Sequence, residues 1–334
     1  MVILAVLATL LVALAVCAGL TGSGLEAQRL MDHAAAREAN YMVARSAIEL
    51  GMEVLRADDN DTDGPQDPWA VGEVNLEWEG RQVALRLVDE ESRFPLGRLQ
   101  AAPDDESGQL LAQALERLIR RAGLPDAPAA VQQLLDWVDP DPIRRPRGAE
   151  LGDYGQQPVK DGPLDSLAEL KVLPAWNQAP GLAAPKRPPP PQLEGLEEAQ
   201  ASDEIRLVVP GPETLGSGTS SEWSDWLSLH SNGKTNINTA PPELLSSLDP
   251  DLGQVAVDEI LRRRQQEAFA SGDDLRRVPG VDADLAFRLE KVLGYHSDTF
   301  EIRATVDHPP GSLTLKTVVR RGQGPMRVLW WEVQ

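Results

Sequence analysis

The sequence predicts an α+β protein: a long N-terminal helix, an antiparallel sheet built from both ends of the head, and a large helical insertion between them. Three observations predict it. A helical apolar pattern runs to about residue 57 with no proline before Pro65. Alternating apolar and polar residues mark strands near 73–90 and again beyond 296. Between these lie two similar runs of helices, each closed by a proline hairpin.

Over 334 residues the formal net charge is −20, which disfavours general affinity for phosphate backbones, since these require lysine and arginine contacts. The single cysteine, Cys17, sits in the apolar N-terminal run, so the remainder has no disulfide and no cysteine zinc site. Four histidines, His33, His230, His296 and His308, are scattered and suggest no cluster.

Residues 1–20 carry no charged side chain, and twenty residues of helix span roughly 30 Å, a bilayer core. A cleaved signal peptide would start with a basic region, whereas this chain starts apolar at Met1. Residues 21–57 continue the helix: Leu30, Ala34, Tyr41, Ala44, Ile48, Met52 and Leu55 recur at three- and four-residue steps, broken on that face by Arg37. One helix is the simplest reading; an anchor followed by a separate helix is the other. Gly19, Gly22 and Gly24 would soften the membrane exit.

Residues 58–94 open the head. Asp59, Asp61, Asp63 and Gly64 resemble the start of a calcium loop, but its twelfth position is Ala70, so a solvated turn is the expectation. "EVNLEWEG" and "RQVALRLVDE" then form a hairpin around Glu79-Gly80. The insertion has a first helical unit, 95–178, and a second, 234–295. Between them 179–233 is expected to be a proline-rich linker and excursion without a core of its own. Residues 296–334 supply three closing strands, of whose Trp330 and Trp331 one can face inward and the other outward.

The second unit contains Val278-Pro279-Gly280-Val281-Asp282, close to the helix–hairpin–helix loop that grips DNA phosphates. Aspartate stands where the second glycine belongs, Asp284 follows, and Asp282 is placed to cap the next helix. The first unit reads Leu173-Pro174-Ala175, without the hairpin glycine. Arg262, Arg263 and Arg264 are consecutive and fan around a helix, and acids surround them. A membrane-anchored DNA receptor is the alternative function; the chemistry predicts no nucleic acid partner.

Asp136, Asp139, Asp141, Glu150 and Asp153 are the candidate ligands of a divalent cation, a structural calcium, because a helix end and a proline-stiffened loop can gather their oxygens. Arg144, Arg145 and Arg147 could neutralise the same acids as salt bridges. Asn236 and Asn238 are expected to be turn and cap residues before a helix at Pro241-Pro242. Trp137 is expected in the core of the first unit, and Trp223 and Trp226 in either packing or an interface. No catalytic motif is present and no enzyme is expected.

In order along the chain, the apolar helix, "RFPLGRL", "LLDWVDPDPIRRPRGAELGDY", "GPLDSLAELKVL" and "TNINTAPPELLSSL" resemble type II secretion system protein K, the large minor pseudopilin of the general secretion pathway. The resemblance implies a pseudopilin fold with an inserted domain of tandem SAM-like units. It implies a non-catalytic subunit capping the tip of a periplasmic pseudopilus that exports folded proteins across the outer membrane. The implied partners are the minor pseudopilins I and J, the inner-membrane assembly platform, the secretin or secreted substrates, and a prepilin peptidase acting on a precursor. The implied location is the bacterial inner membrane, single-pass, with the head in the periplasm. No basic leader ending in glycine precedes Met1, so Met1 is expected to be either a mature or a truncated start. Ala5 replaces the glutamate of major pseudopilins, as the resemblance implies for a tip subunit.

Overall fold

The computed structural model describes residues 2–155, 159–176, 205–208, 225–309, 311–322 and 324–334, with side chains described from residue 26 and not for 205–208. Helix α1 is continuous over Val2–Ala57, 56 residues, on the order of 84 Å at 1.5 Å per residue. One helix is therefore present where an anchor and a separate helix were the alternative. Among the described residues no helix is long and apolar enough to cross a membrane. The side chains of the expected anchor, 1–20, and the softened exit at Gly19–Gly24 lie outside those described.

Among the described side chains of α1, those of its last third pack on the head. Asn40, Val43, Ala44, Ala47, Ile48 and Leu55 are buried, following the three- and four-residue spacing that puts them on one face. Leu30 is 71% exposed, so the predicted stripe is not covered at its N-terminal end. The helix lies close enough that a Cβ on Gly51 would stand 2.8 Å from Ile302 Cγ2. Asn40 fixes the crossing point, donating to His308 O at 3.1 Å and accepting from Arg81 Nε at 2.9 Å.

Strands β1 (Glu73–Trp78) and β2 (Arg81–Asp89) form the expected hairpin. Glu79 and Gly80 both have positive φ, 50° and 73°, as a two-residue turn matching strand twist requires. After β2 come β3 (Phe94–Pro95), α2 (Leu96–Ala101), α3 (Glu106–Arg121), α4 (Ala127–Val138) and a 3₁₀ turn at Leu167–Val172. Strand β4 (Ile205–Val208) follows, then β5 (Leu227–Ser228), β6 (Thr235–Asn236), α5 (Pro242–Leu248), α6 (Gln254–Arg264), α7 (Gly272–Arg276), α8 (Ala283–Glu290) and β7 (Leu293–Gly294). The chain closes with β8 (Thr299–His308), β9 (Gly311–Arg320) and β10 (Arg327–Val333).

The main sheet runs β10-β9-β8-β2-β1-β4, every neighbouring pair antiparallel. Strands from both ends of the head thus meet at the β2–β8 pairing, and everything between is inserted. Phe300, Ile302, Ala304 and Val306 alternate along β8 and, with Val83 and Leu85, form the face covered by α1. Trp331 is 39% exposed and meets Tyr41 edge-on, while its neighbour Trp330 is half-buried.

Two findings differ from the sequence reading. The segment expected to be only linker supplies β4, which pairs with β1, and β5, which pairs in parallel with β3. Trp226 and Leu227 are buried in the insertion, while Trp223 lies outside the described residues. The two helical units also share one continuous core running from Phe94 through Trp137 and Trp176 to Leu245, Leu289 and Leu293. A single core explains how short helices such as α7, five residues long, persist: their stability comes from packing, not length.

Candidate functional site: the junction of sheet and insertion

The insertion is held to the sheet by a buried polar junction at the end of β2. The run Asp89-Glu90-Glu91-Ser92-Arg93 is buried throughout. Here the chain leaves a ladder for irregular backbone, whose amides need acceptors away from water. Asp89 accepts from Ser297 Oγ at 2.8 Å, Asn236 Nδ2 at 3.3 Å, the Thr239 hydroxyl and Glu91 N at 2.7 Å. Glu91 accepts from Asn232 N at 2.7 Å and Thr299 N at 3.1 Å. Burial, then the adjacent Asp89 charge, drives the Glu91 carboxyl well above its ordinary range, and burial likewise raises Asp89.

Arg93 lies between Glu90 and Glu301, with side-chain exposures of 4%, 3% and 8%. It pairs with Glu90 and donates to Glu301 Oε2 at 3.1 Å. Burial alone would lower the Arg93 guanidinium, but the two carboxylates raise it. Burial would raise Glu301, yet Arg93 and Arg303 bring it down to about 2.

A second set of contacts adds the loop after α1. Asp63 accepts from Ser297 N at 2.7 Å and pairs with Arg321, which reaches Asp58 at 3.0 Å. His296 lies between Asp63, 2.8 Å from Nδ1, and Asp298, 3.1 Å from Nε2. Hydrogen bonds to Asp298 and Asp63 raise its pKa to about 10. The acidic loop is therefore a solvated turn at Asp59 and Asp61, as expected, but is pinned on either side by Asp58 and Asp63. Its carboxylates that converge within 4.8 Å are Asp58, Asp63 and Asp67, not the spacing expected of a calcium loop.

Asn236 and Asn238 are fully buried and are not helix caps; Pro241 is the α5 N-cap, without a side-chain bond. Asn236 Nδ2 donates to Asp63 O at 3.1 Å and Ser297 Oγ at 2.8 Å. Asn238 bonds both backbone groups of Phe269, at 3.0 and 2.7 Å. Asn236 keeps its expected turn role only by accepting from Asn238 N at 3.0 Å. The junction was missed in the sequence, although three consecutive acids ending an apolar strand, followed by arginine, are the signal that marks it.

The predicted cation ligands divide. Asp136, fully buried, accepts from Arg145 N at 3.1 Å and Nη1 at 2.6 Å, and Arg145 also pairs with Asp139. Asp141 is exposed and caps Ile143 N at 2.8 Å. Asp153 bonds Glu150 N at 2.9 Å and Arg144 at 3.3 Å. Arg147 instead reaches Asp126 at 2.9 Å. Two buried oxygens, Asp139 Oδ1 and Glu150 Oε1, have no hydrogen-bond partner. Burial, then the charges of Asp136, Asp139, Asp161 and Asp141, raises the Glu150 carboxyl. Both are unmet acceptors, but among the described residues no three of these carboxylates bring oxygens within 4.8 Å of one another.

At the hairpin, Gly280 has φ +87° and Asp282 accepts from Leu285 N at 2.8 Å. A carboxylate thus occupies the amide that a phosphate would use. Arg262 and Arg263 both pair with Glu259, Arg276 with Asp273, and Arg277 with Asp274. Arg264 is buried and donates to Ile237 O and Ala240 O at 2.9 and 2.7 Å.

A long helix laid on an antiparallel sheet, with a helical insertion clamped at the sheet's end, defines a pseudopilin-type subunit. Family models described as type II secretion system protein K match residues 235–292 and 92–182. These two matches, which together span a little under half of the chain, support type II secretion system protein K, a component of the periplasmic pseudopilus, and with it the role of a minor pseudopilin. The fold is similar to a chain in the crystal structure of the GspK-GspI-GspJ complex from the enterotoxigenic Escherichia coli type 2 secretion system. That similarity has a TM-score of 0.65 and 19% identity, and covers 89% of this chain and 96% of the other. No curated protein matches the chain in sequence.

Proposed function

We propose that this minor pseudopilin caps the tip of the pseudopilus as a non-catalytic subunit, in complex with the other minor pseudopilins I and J, and acts in export of folded proteins across the outer membrane. The observation that carries this is the division of α1. From Asn40 to Leu55 it is packed on the sheet, while residues 26–38 are almost entirely exposed, leaving helix free to join a bundle of similar helices. The insertion then forms the bulk that blocks addition of a further subunit. Residues 1–20 anchor the chain in the inner membrane, with the head in the periplasm, on the strength of their uninterrupted apolar sequence. The assembly platform, the secretin or secreted substrates, and a prepilin peptidase follow as partners from the same reading.

Co-expression of the full chain with the I and J subunits of its own system, followed by purification in detergent, tests the proposal. A three-component complex is expected; a chain that purifies alone would sink it. Calcium is proposed as a structural ligand of the 136–153 loop, with the unpartnered oxygens of Asp139 and Glu150 the first available to it and Asp136 and Asp141 drawn in as the loop closes on the ion. Asp153 is committed to Arg144 and to the Glu150 amide, which supports a role in shaping the loop. In this place a cation would fix the loop and neutralise the acids that Arg145 leaves over.

A further inference from the structure

We infer that a cleft between α3 and the α5–α6 turn, on the insertion, is a docking site for a carboxylate-bearing segment of a protein partner. The cleft is a cavity of about 400 Å³ with Arg117, Arg120 and Arg121 on one wall and Pro250, Leu252 and Gln254 on the other. In a chain of net charge −20 it gathers three guanidinium groups in one place.

The pairing with acids that neutralises Arg262, Arg263, Arg276, Arg277 and Arg288 is largely missing here. Arg117 donates to Ser247 O and Leu248 O, both at 2.7 Å, which ties it to the C-terminal carbonyls of α5 and leaves its charge unpaired. Burial lowers its pKa, the response of a cation without sufficient counter-charge. Arg120 has one partner, Glu116, on its own helix. Arg121 is exposed, and among the described residues it has no ion-pair partner. Asp249 is nearby but is taken by Arg288 at 2.8 and 3.0 Å.

Charge complementarity therefore demands an anion, and the lining selects its kind. Leu252 is buried, and with Pro250 it gives the wall facing the arginines its apolar surface. Apolar atoms beside arginine forks suit a carboxylate on an aliphatic stem, as in a glutamate-rich peptide, because guanidinium meets carboxylate with two parallel hydrogen bonds while the stem covers that wall. A nucleic acid would need a track of roughly six to ten phosphate contacts for strong binding. Among the described residues no such track leaves the cleft, since Arg262, Arg263, Arg276, Arg277 and Arg288 are all paired with acids. The inference concerns the chemistry of a partner and does not depend on the capping role.

The test uses the full chain in detergent micelles and a fluorescent glutamate-rich peptide, with inorganic phosphate and duplex DNA as separate probes. Saturable peptide binding is expected, weakening as salt rises, and falling about tenfold in the double variant Arg120→Glu, Arg121→Glu because two charge-assisted contacts become repulsive. Both side chains are exposed, so the variant should stay folded with a melting temperature lowered only slightly, by loss of the Glu116–Arg120 pair and of two cations at a helix C-terminus, separating lost binding from lost fold. The inference is overturned by no peptide binding, by equal binding to the double variant, or by DNA or free phosphate competing for the cleft more strongly than the peptide.

Discussion

Among the described residues the chain holds two concentrations of buried acid, and they differ in how fully their carboxylates are met. At the junction, Asp63, Asp89, Glu90, Glu91 and Glu301 meet arginines, hydroxyls and backbone amides drawn from the helix–strand loop, the insertion and β8. In the 136–153 loop, Arg145 serves both Asp136 and Asp139, and two carboxylate oxygens remain buried and unpartnered. At the junction each of these carboxylates is met, and the buried atom left without a partner is a donor, Arg93 Nε; a network closed around its acids couples two parts of a molecule rigidly. An open one retains negative charge that something else must meet.

The junction is where the comparison can be broken hardest. Arg93→Ala leaves Glu90 and Glu301 facing each other in a nearly dry site. Breaking a buried pair from one side costs about 3–5 kcal/mol, so the urea midpoint of the full chain should fall sharply. A loss below about 1 kcal/mol, the range of an exposed pair, would mean that the junction is not the clamp described. For the open network, calcium should raise the melting temperature and a chelator should reverse the gain. At a hundredfold excess over the dissociation constant the stabilisation is about 2.7 kcal/mol. The double variant Asp139→Asn, Glu150→Gln should respond to neither. An unchanged melting curve in calcium and in chelator would leave Arg144 and Arg145 as the loop's answer to its acids.

The difference between the two regions also explains what the sequence disclosed. The hairpin around Glu79-Gly80, the three closing strands and α1 were legible because each carries its own period, and the Asp282 cap because capping is local. The 136–153 acids stood out because they are close in sequence. The junction was not legible, since Asp89 meets Asn236, Thr239 and Ser297 across more than a hundred residues, and no local pattern encodes that meeting. For the same reason Asn236 and Asn238 resembled caps: an asparagine before a proline-started helix is a sound local rule, overridden here by burial. Strand β4 was hidden because four residues in a polar segment show no period until β1 offers an edge.

The smallest effect expected within the junction comes from its one titrating edge, His296. Its folded pKa, about 10, lies above the ordinary 6.5, so it binds its proton more tightly in the folded chain. Stability from this group is fully present below pH 6.5 and is lost as pH rises through about 10. Arg321 opposes the charge, Asp63 and Asp298 favour it, and the side chain is 42% exposed, so solvent screening holds the contribution to about 1 kcal/mol or less. Unfolding free energy measured across that window should decline with pH in the parent and decline less in His296→Gln. Parallel pH profiles would show that Arg321 alone secures Asp63, making the histidine a bystander at an already closed network.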